Sequence, residues 1–117
     1  MRRSRIALED AVHRATSARK KAVALYQLSV FHDNNSREPL AIPLYEKALR
    51  AGLDHTVKAQ ALAWLASSLY KTGNPTRALS RIRQARDITK DGELRKFLDG
   101  LEARINRSLE RSRIQVS

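Results

Sequence analysis

Five cations crowd a stretch that holds a single carboxylate: Arg77, Arg81, Arg83, Arg86 and Lys90, against Asp87. At 100° per residue, Arg83, Arg86 and Lys90 share one stripe of a helix while Arg77 and Arg81 flank another, so several guanidiniums could reach one polyanion. The same pattern also describes the solvated outer face of a helix. Nothing in the chain has the spacing of a catalytic or metal site. His13, His32 and His55 lie far apart with no second His or Cys at ligand spacing, which favours capping or surface roles. Glu9-Asp10 and Asp33 with Glu38 are carboxylate pairs, but without a shielded cleft they read as solvated or capping groups. No Gly-x-Ser-x-Gly turn occurs and the four glycines never cluster into a phosphate-cradling loop. A non-enzymatic chain with no cofactor and no metal is therefore expected. Trp64, Tyr70 and Tyr26 could stack on bases, but at helical spacing beside Leu62 and Leu65 they read as core, and six aromatics in 117 residues make a poor stacking platform.

The formal charge of +11 comes from 23 Lys and Arg against 12 Asp and Glu, and it would attract acidic proteins, nucleic acids or anionic lipid. The excess is uneven. Residues 1–21 carry seven cations against Glu9 and Asp10, and residues 103–117 carry four against Glu110. There is no cysteine, which excludes a disulfide framework and is compatible with a reducing compartment. The basic start Met1-Arg2-Arg3-Ser4-Arg5 is followed by Glu9, Asp10, His13 and Arg14 rather than an apolar run, so secretion is not expected. No stretch approaches the roughly 20 apolar residues that span a bilayer. A cytoplasmic protein with no membrane contact is the expectation, and the length fits one domain, 1–117.

Helices must position these groups. From Ser4 to Phe31 there is neither Gly nor Pro, and Leu8, Ala11, Ala15, Ala18, Ala22, Leu25 and Ser29 recur at steps of three and four. That is helical periodicity, in one long helix or two joined near Thr16-Ser17, with a basic N-terminal helix over 4–21. Asp33-Asn34-Asn35-Ser36 reads as a turn. A helix is expected over 38–51, tilted in its first turn by Pro43 and stopped by Gly52, and Asp54 caps the next, over 55–72. Gly73 ends that helix, Asn74 caps its successor and Pro75 opens it. After Asp91-Gly92 a last helix over 92–111 carries Leu94, Phe97, Leu98, Leu101 and Ile105, with a frayed end expected. Period-two alternation never persists, so the fold class is all-α.

One pattern occurs twice. Leu25-x-x-Leu28-Ser29 followed by Ala41-x-x-x-Tyr45-x-x-Ala48 returns 37 residues on as Leu62-x-x-Leu65-Ala66 followed by Ala78-x-x-x-Ile82-x-x-Ala85. Each copy reads as two antiparallel helices meeting through small residues, over 22–51 and 55–89. Such units cannot bury their apolar faces alone and must stack into a short solenoid of about five helices closed by a C-terminal capping helix.

At Leu65-Ala66-x-x-Leu69-Tyr70-x-x-Gly73-Asn74-x-x-x-Ala78-x-x-x-Ile82-x-x-Ala85 the chain resembles the tetratricopeptide repeat, and so does its preceding copy. His32-Asp33, Arg37-Glu38 and Pro43-Leu44-Tyr45-Glu46-Lys47-Ala48-Leu49 look most like a short bacterial subgroup. Ser36 stands where that family usually has Gly, and Lys90 where Pro often ends the unit. Phe97-Leu98 matches Trp64-Leu65. The resemblance implies a scaffold that binds a protein or peptide in a groove lined by the first helix of each pair. The positions carried over are Tyr26, Val30 and Asn34, then Gln60, Ala63, Ser67, Tyr70 and Lys71, then Lys96, Gly100 and Arg104. With the positive charge, the leading expectation is a tetratricopeptide-like module for an acidic protein or peptide. The alternative is a nucleic-acid-associated protein holding phosphates without reading sequence, through Arg77, Arg81, Arg83, Arg86 and Lys90. Self-association through the terminal helices is a third expectation, carried by the Leu98/Leu101/Ile105/Leu109 stripe.

Overall fold

A computed structural model of the chain describes residues 4–116 and builds α1 (Arg5–Arg14), α2 (Ala18–Asn34), α3 (Glu38–Ala51), α4 (His55–Lys71), α5 (Pro75–Ile88) and α6 (Gly92–Val116). No strand occurs among the described residues. α2 packs on α3 and α4 on α5, α3 rests on α4, and α6 lies against α5 and α4. Connections of three residues leave each helix little choice but to run back along its predecessor. Among the described residues no helix is long and apolar enough to cross a membrane.

The N-terminal segment is two helices joined at Ala15–Ser17, the second of the two expected arrangements, so the basic helix ends well before residue 21. Ala15 is extended, and the Ser17 side chain accepts from Lys20 N–H at 3.1 Å. A serine hydroxyl offers the backbone this alternative to continued helix, so Arg19, Lys20 and Lys21 belong to α2 instead of a helix 4–21. α6 shows the opposite deviation: it runs unbroken past residue 111 to Val116.

The repeat is visible in the smallest details of the chain's turns. At the end of α2, Ser36 N–H donates to Asp33 C=O and Arg37 N–H to His32 C=O; at the end of α4, Gly73 N–H donates to Tyr70 C=O and Asn74 N–H to Leu69 C=O. Both are Schellman closures, which need one left-handed residue. Gly73 fills that place at φ +85° and Ser36 at φ +57°. Asp33 is therefore inside the last turn of α2, not in the turn itself. Asn74 does not cap α5 with its side chain; its amide donates to Thr72 instead.

The second helix of each pair buries three residues, Ala41, Tyr45 and Ala48 in α3 and Ala78, Ile82 and Ala85 in α5, all fully inaccessible. Alanines let the backbones approach while Tyr45 and Ile82 supply apolar area, about 2 kcal/mol for each large side chain buried. α4 is apolar on most sides, with Leu62, Leu65 and Leu69 buried among alanines, as befits a helix enclosed by α2, α3, α5 and α6. Leu98, Leu101 and Ile105 are buried within the chain itself. The stripe expected to face a second copy is thus spent on the core, because α6 closes the apolar edge of the second repeat.

Candidate functional site

Side chains from the first helices of the pairs converge on a hollow of about 390 Å³ between α2, α4 and α6. Val30, Asp33 and Asn34 come from α2, Trp64, Ser67 and Lys71 from α4, Tyr45 from α3 and Phe97 from α6. Steps of three and four along α2 and α4 put these residues on one face of each helix. The Trp64 and Phe97 rings meet edge to face with centroids 5.1 Å apart, a favoured aromatic arrangement that fixes both rings. Trp64 Nε1 donates to Tyr26 Oη at 3.1 Å, and Tyr26 Oη donates to Gln60 Oε1 at 3.3 Å. This wall is held by polar bonds as well as by packing.

Beneath it, Asp33 joins three helices. Its Oδ2 accepts from Tyr45 Oη of α3 at 2.8 Å and its Oδ1 from Ser68 Oγ of α4 at 3.3 Å. Tyr45 and Ser68 are fully buried and Asp33 is half-buried. Burial pushes the Tyr45 hydroxyl far above its ordinary range, and the Asp33 charge adds to the effect. Burial also raises the Tyr26 hydroxyl, partly opposed by the bond from Trp64. Both phenols stay neutral and act as donors, so they order the wall and are unsuited to proton abstraction. Among the described residues no group of three His, Cys, Asp or Glu could hold a metal.

Of the expected groove positions, Val30, Asn34, Ser67 and Lys71 line the hollow, and Tyr26 and Gln60 adjoin it through Trp64. Ala63 is fully buried and offers no surface. Tyr70 packs against the core away from the hollow. Lys96 is exposed and faces Glu93 at 3.9 Å, and Gly100 and Arg104 are exposed as well. Asp33, Tyr45, Trp64 and Phe97 were not among the expected positions. For Phe97 the signal existed in its match to Trp64. Asp33 stood in the His32-Asp33 motif, but its role did not show there, because its partners lie 12 and 35 residues away.

The five cations do not form one free array: Arg77, Arg81, Arg83 and Arg86 lie on α5, whereas Lys90 falls beyond its end at Ile88 and so off the expected stripe. Glu46 of α3 takes Arg77 at 2.6 Å and Arg81 at 3.8 Å. Arg86 binds Asp99 at 2.9 Å and Glu102 at 3.1 Å on α6, and the bond to Glu102 raises its already high pKa. Of the five, Arg83 and Lys90 are exposed, and no ion pair to either occurs among the described residues. Arg77, Arg81 and Arg86 thus tie α5 to α3 and α6, and of the expected stripe Arg83, Arg86 and Lys90 only Arg86 is engaged.

A family model described as "Tetratrico peptide repeat" matches residues 8–117. The chain belongs to the tetratricopeptide repeat family. The match takes in both helix pairs and α6, and it agrees with the paired, strandless architecture. Tetratricopeptide repeats are protein-interaction modules, and the hollow lies on the first helices of the pairs, α2 and α4, with α6 in the place of a third. No curated protein and no solved structure matches the chain.

Proposed function

We propose that this tetratricopeptide module binds a segment of a partner protein in the hollow between α2, α4 and α6, without catalysing a reaction. The observation that carries the reading is the aromatic wall: Trp64 and Phe97, locked edge to face and by the Tyr26 bond, leave an apolar seat beside Val30. Rigid aromatic walls of this kind concentrate binding energy in a few contacts. Next to the seat, Asn34 and Lys71 are exposed, and the Lys71 ammonium stands 4.0 Å from Glu38 with most of its surface open. A partner with one apolar side chain and an acidic group beside it fits this arrangement, and the +11 charge would speed its approach. The phosphate-binding alternative loses support because Arg77, Arg81 and Arg86 are already engaged.

Selection from a displayed random-peptide library tests the reading. Recovered peptides should share an apolar anchor with a neighbouring acidic residue. Ser67→Arg, which fills the hollow, should weaken their binding at least about tenfold, as loss of a central contact does. Arg83→Glu, on α5, should leave it unchanged. Peptides indifferent to Ser67→Arg would refute the assignment.

A further inference from the structure

A second cleft, of about 680 Å³, opens between α3 and α5 over the outer side of α4. α5 presents Arg77, Arg81, Gln84 and Ile88 to it, a single stripe at helical spacing. Its floor is apolar: Leu49 and Ile88 are half-buried and Leu62 buried. Its rim holds four cations. Arg77 and Arg81 are held there by Glu46, whereas Arg50 and Lys58 are exposed and form no ion pair among the described residues. Glu46 and Asp87 are the carboxylates of the lining.

We infer that this cleft docks an acidic amphipathic helix of a partner protein, as a site separate from the hollow and independent of its reading. The chemistry selects the occupant. Arg50 and Lys58 offer two uncommitted positive charges next to Leu49 and Ile88, so a ligand must place carboxylates at the rim and an apolar side chain on the floor. A helix with Glu and Leu three or four residues apart does both on one face. A nucleic acid backbone would leave the apolar floor unused and set its phosphates against Glu46 and Asp87. The net excess of the rim still steers an acidic partner toward the cleft.

The test uses fluorescence anisotropy of the full chain with a labelled helical peptide of Glu and Leu at that spacing, at physiological salt. Arg50→Glu and Lys58→Glu are each expected to weaken binding about tenfold or more, the scale of reversing a charge at a contact. Replacing the Leu residues of the peptide by Ser should do the same, and Ser67→Arg should change nothing. Lys58→Glu serves even if Arg50→Glu fails to fold, because an acidic residue in the first turns of α4 suits the helix dipole. Failure of the peptide to bind, or binding indifferent to both charge reversals, overturns the proposal. Loss on Ser67→Arg would move the peptide to the hollow and also overturn it. Tighter binding of single-stranded DNA, lost in the same two variants, would make the cleft a phosphate site instead.

Discussion

Replacing Asp33 by Ala should be among the most damaging single changes outside the apolar core. The substitution strands two donors, Tyr45 Oη at 2.8 Å and Ser68 Oγ at 3.3 Å, both on fully buried residues. A buried donor left without its acceptor costs about 1–3 kcal/mol, toward the upper end when the acceptor was charged. With Tyr45 near the top of that range and the longer Ser68 bond near the bottom, the loss should be about 3–4 kcal/mol. That is a large part of the 5–15 kcal/mol, roughly, that holds a domain of this size together. Asp33→Asn is the discriminating control. Its carbonyl oxygen still accepts from Tyr45 and its amide can donate to Ser68 Oγ, so only the charge assistance goes, about 1 kcal/mol. Tyr45→Phe should also cost about 1 kcal/mol, since the half-buried Asp33 keeps Ser68 and faces the open hollow. Urea unfolding of the two single variants and the double variant measures the coupling, expected at about 1–2 kcal/mol. Equal losses for Ala and Asn, or strict additivity of Asp33→Ala with Tyr45→Phe, would refute the account of Asp33 as an acceptor that joins three helices.

Two further expectations use the repeat as its own reference. Ser36→Gly gives the first repeat the left-handed residue of the second and should stabilise by about 0.5–1 kcal/mol, the steric penalty of a side chain there less the entropy Gly adds to the unfolded chain. The reciprocal Gly73→Ser should cost about as much, and since an added Cβ meets nothing within 4 Å, the effect is purely of the backbone; a neutral urea midpoint for both would exclude it. His32 is held below its ordinary value of 6.5, first by burial and then by the Arg37 charge, whose Nε donates to His32 Nδ1 at 3.2 Å. A depressed folded pKa contributes stability that is complete above 6.5 and is lost as pH falls from there through the folded value. His32→Leu, the residue at the matching position of the second repeat, should flatten that part of the urea-stability profile. Identical slopes in the two proteins would exclude His32 as the titrating group.

The helix pairs were legible because their signals are local. Gly73-Asn74-Pro75 and Gly52 punctuate, and the small residues Ala41, Ala48, Ala78 and Ala85 repeat at helical spacing. Whether the chain breaks near Thr16-Ser17 was left open because α1 and α2 share a small-residue pattern with no Gly or Pro between them, and the bond from Lys20 N–H to the Ser17 hydroxyl marks the start of the second helix. The hollow was legible in part. Val30, Asn34, Ser67 and Lys71 are positions that the family resemblance implied and that line the hollow, whereas Ala63, implied in the same way, turns into the core. Spacing carried over from a family fixes the helix and the turn, yet a rotation of the helix by part of a turn decides whether a small residue meets solvent. The ion pairs of Arg77, Arg81 and Arg86 were not legible for a different reason: Glu46, Asp99 and Glu102 reach them from α3 and α6, and composition within a window counts no carboxylate that arrives by folding.

The two repeats place the same backbone under different interiors, and the difference has a direction. Aligned at the 37-residue offset, Ser29, His32, Asp33 and Tyr45 of the first correspond to Ala66, Leu69, Tyr70 and Ile82 of the second. Every polar member of the first set is satisfied: Ser29 Oγ donates to Leu25 C=O at 2.7 Å, His32 accepts from Arg37, and Asp33 accepts from Tyr45 and Ser68. Polar groups so placed add little net stability over well-packed apolar ones, but they admit fewer alternative packings. The second repeat, with Leu65, Leu69 and Ile82 fully buried, supplies the apolar mass against which α6 closes. The first supplies directional bonds, and those of Asp33 end at the hollow, where Asp33 and Tyr45 form part of the lining. Both repeats thus set the shape of the hollow by different means: the bonds of Asp33 to Tyr45 and Ser68 fix its α2 side, and the edge-to-face contact of Trp64 with Phe97 fixes its α4 and α6 side, each harder to slide than a contact between aliphatic side chains.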